Sequence, residues 1–88
     1  MSYRLEVKPL ADKQAQPLDR KTLKRLQKRM EELARDPFDP RLSKPVTMSL
    51  GRRTSRVGDW RIIYYLDELR RTLVIAAICP RDKAYDKV

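Results

Sequence analysis

The chain has 88 residues, with 21 Lys and Arg against 12 Asp and Glu, a formal charge of +9. A chain this short makes one domain, residues 1–88, and so large a cationic excess points to a polyanionic partner: RNA, DNA, an acidic membrane face or an acidic protein. The absence of histidine and the presence of one cysteine, Cys79, exclude a Ser-His-Asp triad, a thiolate cluster, most zinc sites and an internal disulfide.

Tyr3, Leu5 and Val7 alternate with Arg4, Glu6 and Lys8, which predicts an opening strand with one buried face. The same alternation is unlike a secretory signal. No apolar run approaches the ~20 residues that span a bilayer, so a cytoplasmic protein without a membrane partner is expected. Pro9 ends the strand or starts a helix. Residues 9–17 read either as a connector or as a short helix over Leu10–Gln16 closed by Pro17. Asp19 is an N-cap residue. Leu23, Leu26, Met30 and Leu33 then recur at helical spacing, with Ala34 extending the stripe, so an amphipathic helix is predicted over Arg20–Arg35. The apolar stripe is core. The outer face carries Lys21, Lys24, Arg25, Lys28 and Arg29; it reads as a solvated face, an RNA-contacting face or an anchor for an acidic partner.

Asp36-Pro-Phe-Asp-Pro40 stops this helix, and residues 36–45, with three prolines, read as loop. Phe38 and Leu42 are expected to tuck over the core. Val46 to Val57 is expected to begin the rest of the sheet, with an irregular start around Gly51. Gly58-Asp59 marks a hairpin turn, and Trp60 to Leu66 is strongly β-favouring. Asp67 to Arg70 makes the next turn. Arg71 to Cys79 is nearly continuous apolar sequence, the mark of a central strand, and Pro80 ends it. Cys79, after Ile75-Ala-Ala-Ile78, reads as a buried structural thiol. The expected fold class is α+β: an N-terminal strand and one or two helices packed on an antiparallel sheet completed by a C-terminal three-stranded meander.

The chemistry concentrates in the C-terminal half. Arg52, Thr54 and Arg56 share parity and project to one strand face. Arg61 follows the Gly-Asp turn. Arg81 follows the last strand, four residues before Tyr85. Arginine's planar, permanently charged fork matches phosphate oxygens. Gly51 and Gly58 are the only glycines, too few for a phosphate-cradling loop, and no metal or cofactor site is expected. RNA cleavage can do without either, because the 2′-hydroxyl is an internal nucleophile already close to phosphorus. Arginines neutralise the developing charge but carry protons poorly. Tyr85 and Lys83, beside Arg81, are better proton carriers if cationic neighbours depress them. Each residue also has a structural reading. Arg61 could pair with Asp59 or Asp67, Arg56 could be solvated beside its turn, and Trp60, Tyr64 and Tyr65 could pack the sheet with one tyrosine on each face.

The stretch Arg56-Val-Gly-Asp-Trp-Arg-Ile-Ile-Tyr64, followed by a strand and then Arg81-Asp-Lys-Ala-Tyr85, resembles the RelE/ParE superfamily of toxins from bacterial and archaeal toxin–antitoxin pairs. The resemblance covers nearly the whole chain and implies a single RelE-like toxin domain. It implies a ribosome-dependent endoribonuclease that cuts mRNA in the A site through the 2′-hydroxyl without metal, and that a cognate antitoxin silences. It places Arg61, Arg81 and Tyr85 in catalytic roles and Arg52, Arg56 and Lys83 on the RNA phosphates. Two departures stand out: Thr54 replaces a residue that is basic in many relatives, and Cys79-Pro80-Arg81 stands where many carry Gly-His-Arg. Two other readings stay open. A ParE-like inhibitor of DNA gyrase would share the Gly-Asp-aromatic-Arg motif, and a non-catalytic basic module would bind RNA or the ribosome.

Overall fold

The computed structural model describes residues 2–46 and 50–80. The elements are β1 (Arg4–Val7), α1 (Pro9–Ala15), α2 (Arg20–Arg35), β2 (Lys44–Pro45), β3 (Arg53–Val57), β4 (Trp60–Asp67) and β5 (Thr72–Pro80). They form an α+β fold of two helices on one five-stranded sheet ordered β1-β5-β4-β3-β2.

Helix α2 has the bounds its apolar spacing predicts. Its N-cap, Asp19, accepts the Thr22 hydroxyl at 2.6 Å and the Thr22 amide at 3.1 Å. These two bonds favour the ionised carboxylate and hold Asp19 below its ordinary value. The ambiguous segment after β1 forms α1, with Pro9 in its first turn, where a missing N–H costs nothing. Gln14 on α1 accepts the Ile78 amide at 2.7 Å. It thereby satisfies a backbone donor of β5 beyond the last β1 pair, Val7 with Ile75.

Strands β3, β4 and β5 form the expected antiparallel meander. Gly58, at φ 59°, occupies the β3–β4 turn in the left-handed region that glycine adopts without steric cost. Register slips once: Ile63 faces Ala77 and Tyr64 faces Ile75, so Ala76 is an extra residue in β5. Strand β1 joins the sheet beside β5 in parallel, Arg4 opposite Thr72 and Val7 opposite Ile75. The next strand in the chain, β2, lies at the opposite edge of the sheet, so the connecting α1 and α2 cross over the sheet and pack on one face. Ala11, Leu26 and Leu33 from the helices meet Val57, Ile62, Tyr64, Leu73, Ile75 and Ile78 from the sheet in the main core. Ile63, Ala77 and the buried Cys79 form a small separate cluster.

Two expectations are corrected. Of the strand expected over Val46 to Val57, residues 47–49 lie outside the described residues and β3 covers only Arg53–Val57, while Lys44 and Pro45, expected as loop, form β2 and pair with Thr54 and Arg53. Pro45 lacks a donor, which suits a short edge strand, and Gly51 turns the chain with φ 81°. Leu42 packs against the core as expected, but Phe38 is 54% exposed, with the Arg53 guanidinium 5.1 Å from its ring centroid. Tyr64 secures this corner instead. It is wholly buried, and its hydroxyl donates to the Pro37 carbonyl at 2.6 Å. Among the described residues no helix is long and apolar enough to cross a membrane.

The Pro37 carbonyl also accepts from the Ser43 hydroxyl at 3.1 Å, so removing the Tyr64 hydroxyl takes away the shorter of two bonds and does not leave the carbonyl unsatisfied. Tyr64→Phe is therefore expected to cost about 0.5–1.5 kcal/mol of unfolding free energy, the net worth of one hydrogen bond. Urea titration of the two proteins would read this as a lower midpoint at an unchanged slope, and equal midpoints would refute it.

Candidate functional site

Which face each β3 and β4 residue takes follows from the core. Val57, Ile62 and Tyr64 lie under the helices. Ser55 does too, because Arg29 of α2 reaches across to donate to its hydroxyl at 2.9 Å. The same guanidinium nitrogen of Arg29 donates to the Arg56 carbonyl at 2.7 Å. Arg29, read from sequence as part of the helix's outer face, thus turns inward and pins the strand that carries Arg56. Its Nε lies 3.4 Å from a Glu32 carboxylate oxygen.

The alternate residues form the other face: Thr54 and Arg56 on β3, and Arg61, Ile63 and Tyr65 on β4. Arg56 and Arg61 are directly opposite in the ladder. Like charges placed directly across a strand pair are destabilising, so this pair concentrates positive potential at the turn end of the sheet. Arg56 Nε donates to the Gly58 carbonyl at 3.1 Å, which orients its fork. The loop before β2 folds over this end and closes a cavity of about 240 Å³, lined by Arg41, Lys44, Thr54, Arg56 and Arg61 among others. Two bonds at 3.2 and 3.0 Å tie Arg41 to Asp39. They hold the carboxyl of Asp39 low and push the Arg41 guanidinium up, so both stay ionised. The Thr54 hydroxyl is buried on this face and has no hydrogen-bond partner among the described residues.

The three arginines expected on β3 and β4 are therefore on one face, but not in one cluster. Arg56 and Arg61 meet at the cavity. Arg52 lies toward the other end, its guanidinium 5.1 Å from the Tyr65 ring centroid. Arg81, Lys83 and Tyr85 lie outside the described residues. Asp67, one suggested partner of Arg61, is engaged by Arg70 at 2.7 Å, and Arg70 also reaches Glu6 at 2.9 Å. The tyrosines divide as expected: Tyr64 packs inside, and Tyr65 is on the helix-free face. Sequence reasoning did not single out Arg41 and Lys44. They sit in a proline-rich connector, and only its fold onto β3 brings them to the arginine pair. Among the described residues no group of three His, Cys, Asp or Glu is placed to hold a metal ion.

A family model described as "ParE toxin of type II toxin-antitoxin system, parDE" matches residues 5–85. No curated protein matches the chain. Among solved structures, the RelBE2 toxin–antitoxin complex of Mycobacterium tuberculosis contains a similar chain at 25% identity and TM-score 0.80, covering 92% of this chain and 100% of that one. The archaeal RelE–RelB complex of Pyrococcus horikoshii gives 26% identity and TM-score 0.75, covering 96% and 100%. A mutant of the Escherichia coli toxin RelE in its free state superposes with TM-score 0.81 at 14% identity, covering 96% and 88%, a likeness of fold alone.

A cavity ringed by cations should take up an anion. Titrating inorganic phosphate into ¹⁵N-labelled protein is expected to shift the amides of Thr54, Arg56 and Arg61, and raised chloride should reverse the shifts. Shifts spread evenly over all basic surfaces would show that the cavity has no preference.

Proposed function

This chain belongs to the ParE toxin family of type II toxin–antitoxin systems, within the RelE/ParE superfamily, and from that premise we propose that it is a ribosome-dependent mRNA endoribonuclease. The observation that carries the reading is the Arg56–Arg61 pair, two permanent cations facing each other across the ladder beside a basic cavity. Two cations so placed repel each other across the ladder and can both stabilise the charge of a phosphodiester.

In the proposed reaction the messenger lies in the ribosomal A site with its scissile phosphate between Arg61 and Arg81. Arg56 and Lys83 hold the flanking phosphates. The 2′-oxygen attacks phosphorus, the bond from phosphorus to the 5′-oxygen breaks, and the 5′-oxygen takes up a proton. The products are a 2′,3′-cyclic phosphate and a 5′-hydroxyl. Arginine stabilises the charge of the transition state but cannot carry the protons, so Tyr85 is assigned to proton transfer. No step requires a metal ion or a cofactor.

Mapping transcript ends after inducing the protein in cells tests this directly. Cuts in phase with codons of translated messages are expected, and the ends should be cyclic or 3′-phosphate and insensitive to chelator added to a reconstituted ribosome assay. Arg61→Ala and Arg81→Ala should each lower the single-turnover rate by about 10²-fold or more, the scale of losing one preorganised donor to a developing oxyanion. A 3′-hydroxyl end, or full activity in both variants, would overturn the mechanism.

The family model's description favours a second reading, a gyrase inhibitor that acts by binding. The helices weigh against it, since ParE-like toxins would be expected to carry a longer helical hairpin than α1 and α2, of 7 and 16 residues. Double-strand DNA breaks and filamentation, with intact transcripts, would select it.

The proposed partner is a cognate antitoxin, as in the solved complexes from M. tuberculosis and P. horikoshii. A net charge of +9 favours an antitoxin segment rich in carboxylates over the arginine face. Its association rate constant should fall steeply as salt rises, measured by stopped-flow fluorescence. A rate indifferent to ionic strength would assign binding to apolar contacts alone.

A further inference from the structure

At the end of the helix-free face away from the Arg56–Arg61 pair, Arg52 and Tyr65 make a second constellation. The Arg52 guanidinium is 5.1 Å from the Tyr65 ring centroid. Beside it a cavity of about 300 Å³ opens between Leu50, Gly51, Arg52, Tyr65 and Leu66, the lower end of the range for small-ligand sites. Leu50 is fully exposed at its edge. Gly51, at φ 81°, turns the backbone there without a side chain to fill the space.

The core does not require this tyrosine. Its neighbour Tyr64 fills the core and has its hydroxyl bound, whereas Tyr65 is only half-buried on the opposite face. What lies between the two constellations is also informative. Thr54 and Ile63 face each other midway along the ladder and carry no charge. The stripe therefore runs from a phosphate-type grip, through a neutral middle, to a planar cation stacked on a ring. Tyr65 follows Arg61 by four residues of β4, about 13 Å at ~3.3 Å per residue. A single strand whose stacked repeat is about 3.4 Å spans that distance in at most about four nucleotides, fewer if stretched.

We propose that Arg52 and Tyr65 form a base-stacking subsite for single-stranded RNA, which takes the face of a base up to a few nucleotides away from the phosphate held by Arg56 and Arg61. The proposal rests on the RNA reading above. It gives the site a second point of attachment, one that fixes the strand's direction and reach. Stacking accepts any base but gains most from the largest ring surface, so the subsite favours purines at that nucleotide.

The test uses the full chain and a short end-labelled 2′-O-methyl oligoribonucleotide, which cannot be cleaved because its nucleophile is capped. Affinity is read by fluorescence anisotropy for the parent, Tyr65→Phe, Tyr65→Leu and Arg61→Ala proteins. The same oligonucleotide is also made with an abasic site at each position in turn. Tyr65→Leu should weaken binding by about 5- to 100-fold, the worth of one base–aromatic stack, while Tyr65→Phe stays within about twofold of the parent. One abasic position should reproduce the loss on the parent protein and add nothing to Tyr65→Leu. The abasic scan and Tyr65→Phe need no core-altering substitution, so they decide the matter even if Tyr65→Leu folds poorly. Parent-like binding by Tyr65→Leu, or an abasic scan without a preferred position, overturns the subsite. If Arg61→Ala still weakens binding in that case, the RNA face survives without it. Failure of the parent to bind the oligonucleotide overturns both.

Discussion

One-sided burial of the sheet is the constraint on which the rest of this molecule depends. Strands β1 and β2 follow one another in the chain but form opposite edges of the sheet, so the helices that connect them must cross over it. Both helices therefore arrive on the same side. Leu26 and Leu33 of α2 cover Ile62, Tyr64, Leu73 and Ile75 there. No described helix covers the opposite side, where only Ile63, Ala77 and Cys79 cluster. That side is free to carry charge, and the alternation of β3 and β4 sends Arg56 and Arg61 to it.

The arginine pair exploits this asymmetry at an electrostatic cost. Two guanidiniums opposed across a ladder repel each other. The scaffold holds them in place from behind. Arg29 grips the Ser55 hydroxyl and the Arg56 carbonyl, and the loop after α2, secured by the Tyr64–Pro37 hydrogen bond, closes over the front. A site built this way is preorganised for an anion before the anion arrives.

Fold and target are separate questions in this family. The family model bears the ParE description, while the similar solved structures are RelE-type toxins. One scaffold of helices and sheet can serve different targets, because function lies in the side chains a fold carries and not in the fold itself. The shortness of α1 and α2, of 7 and 16 residues, is what this chain sets against a gyrase-inhibitor reading.

Period and punctuation alone determined much of this protein. The stripe Leu23, Leu26, Met30, Leu33 bounded α2 to the residue, since helix caps and apolar spacing are local physics. The alternation in Arg52, Thr54 and Arg56 placed those side chains on one face, and the apolar run through Ile75 marked β5 as central. Tertiary structure decided what depends on contacts distant in sequence. It joined β1 to β5 in parallel, which no local pattern encodes. It buried Tyr64, whose hydroxyl joins that of Ser43 on the Pro37 carbonyl, and left Phe38 exposed. It brought Arg41 and Lys44 to the cavity from a loop that reads as mere connector. It also parted Arg52 from Arg56 and Arg61, setting it against Tyr65. Parity assigns a side chain to a face, but the length of a strand separates residues on that face, and only the folded sheet shows which of them meet.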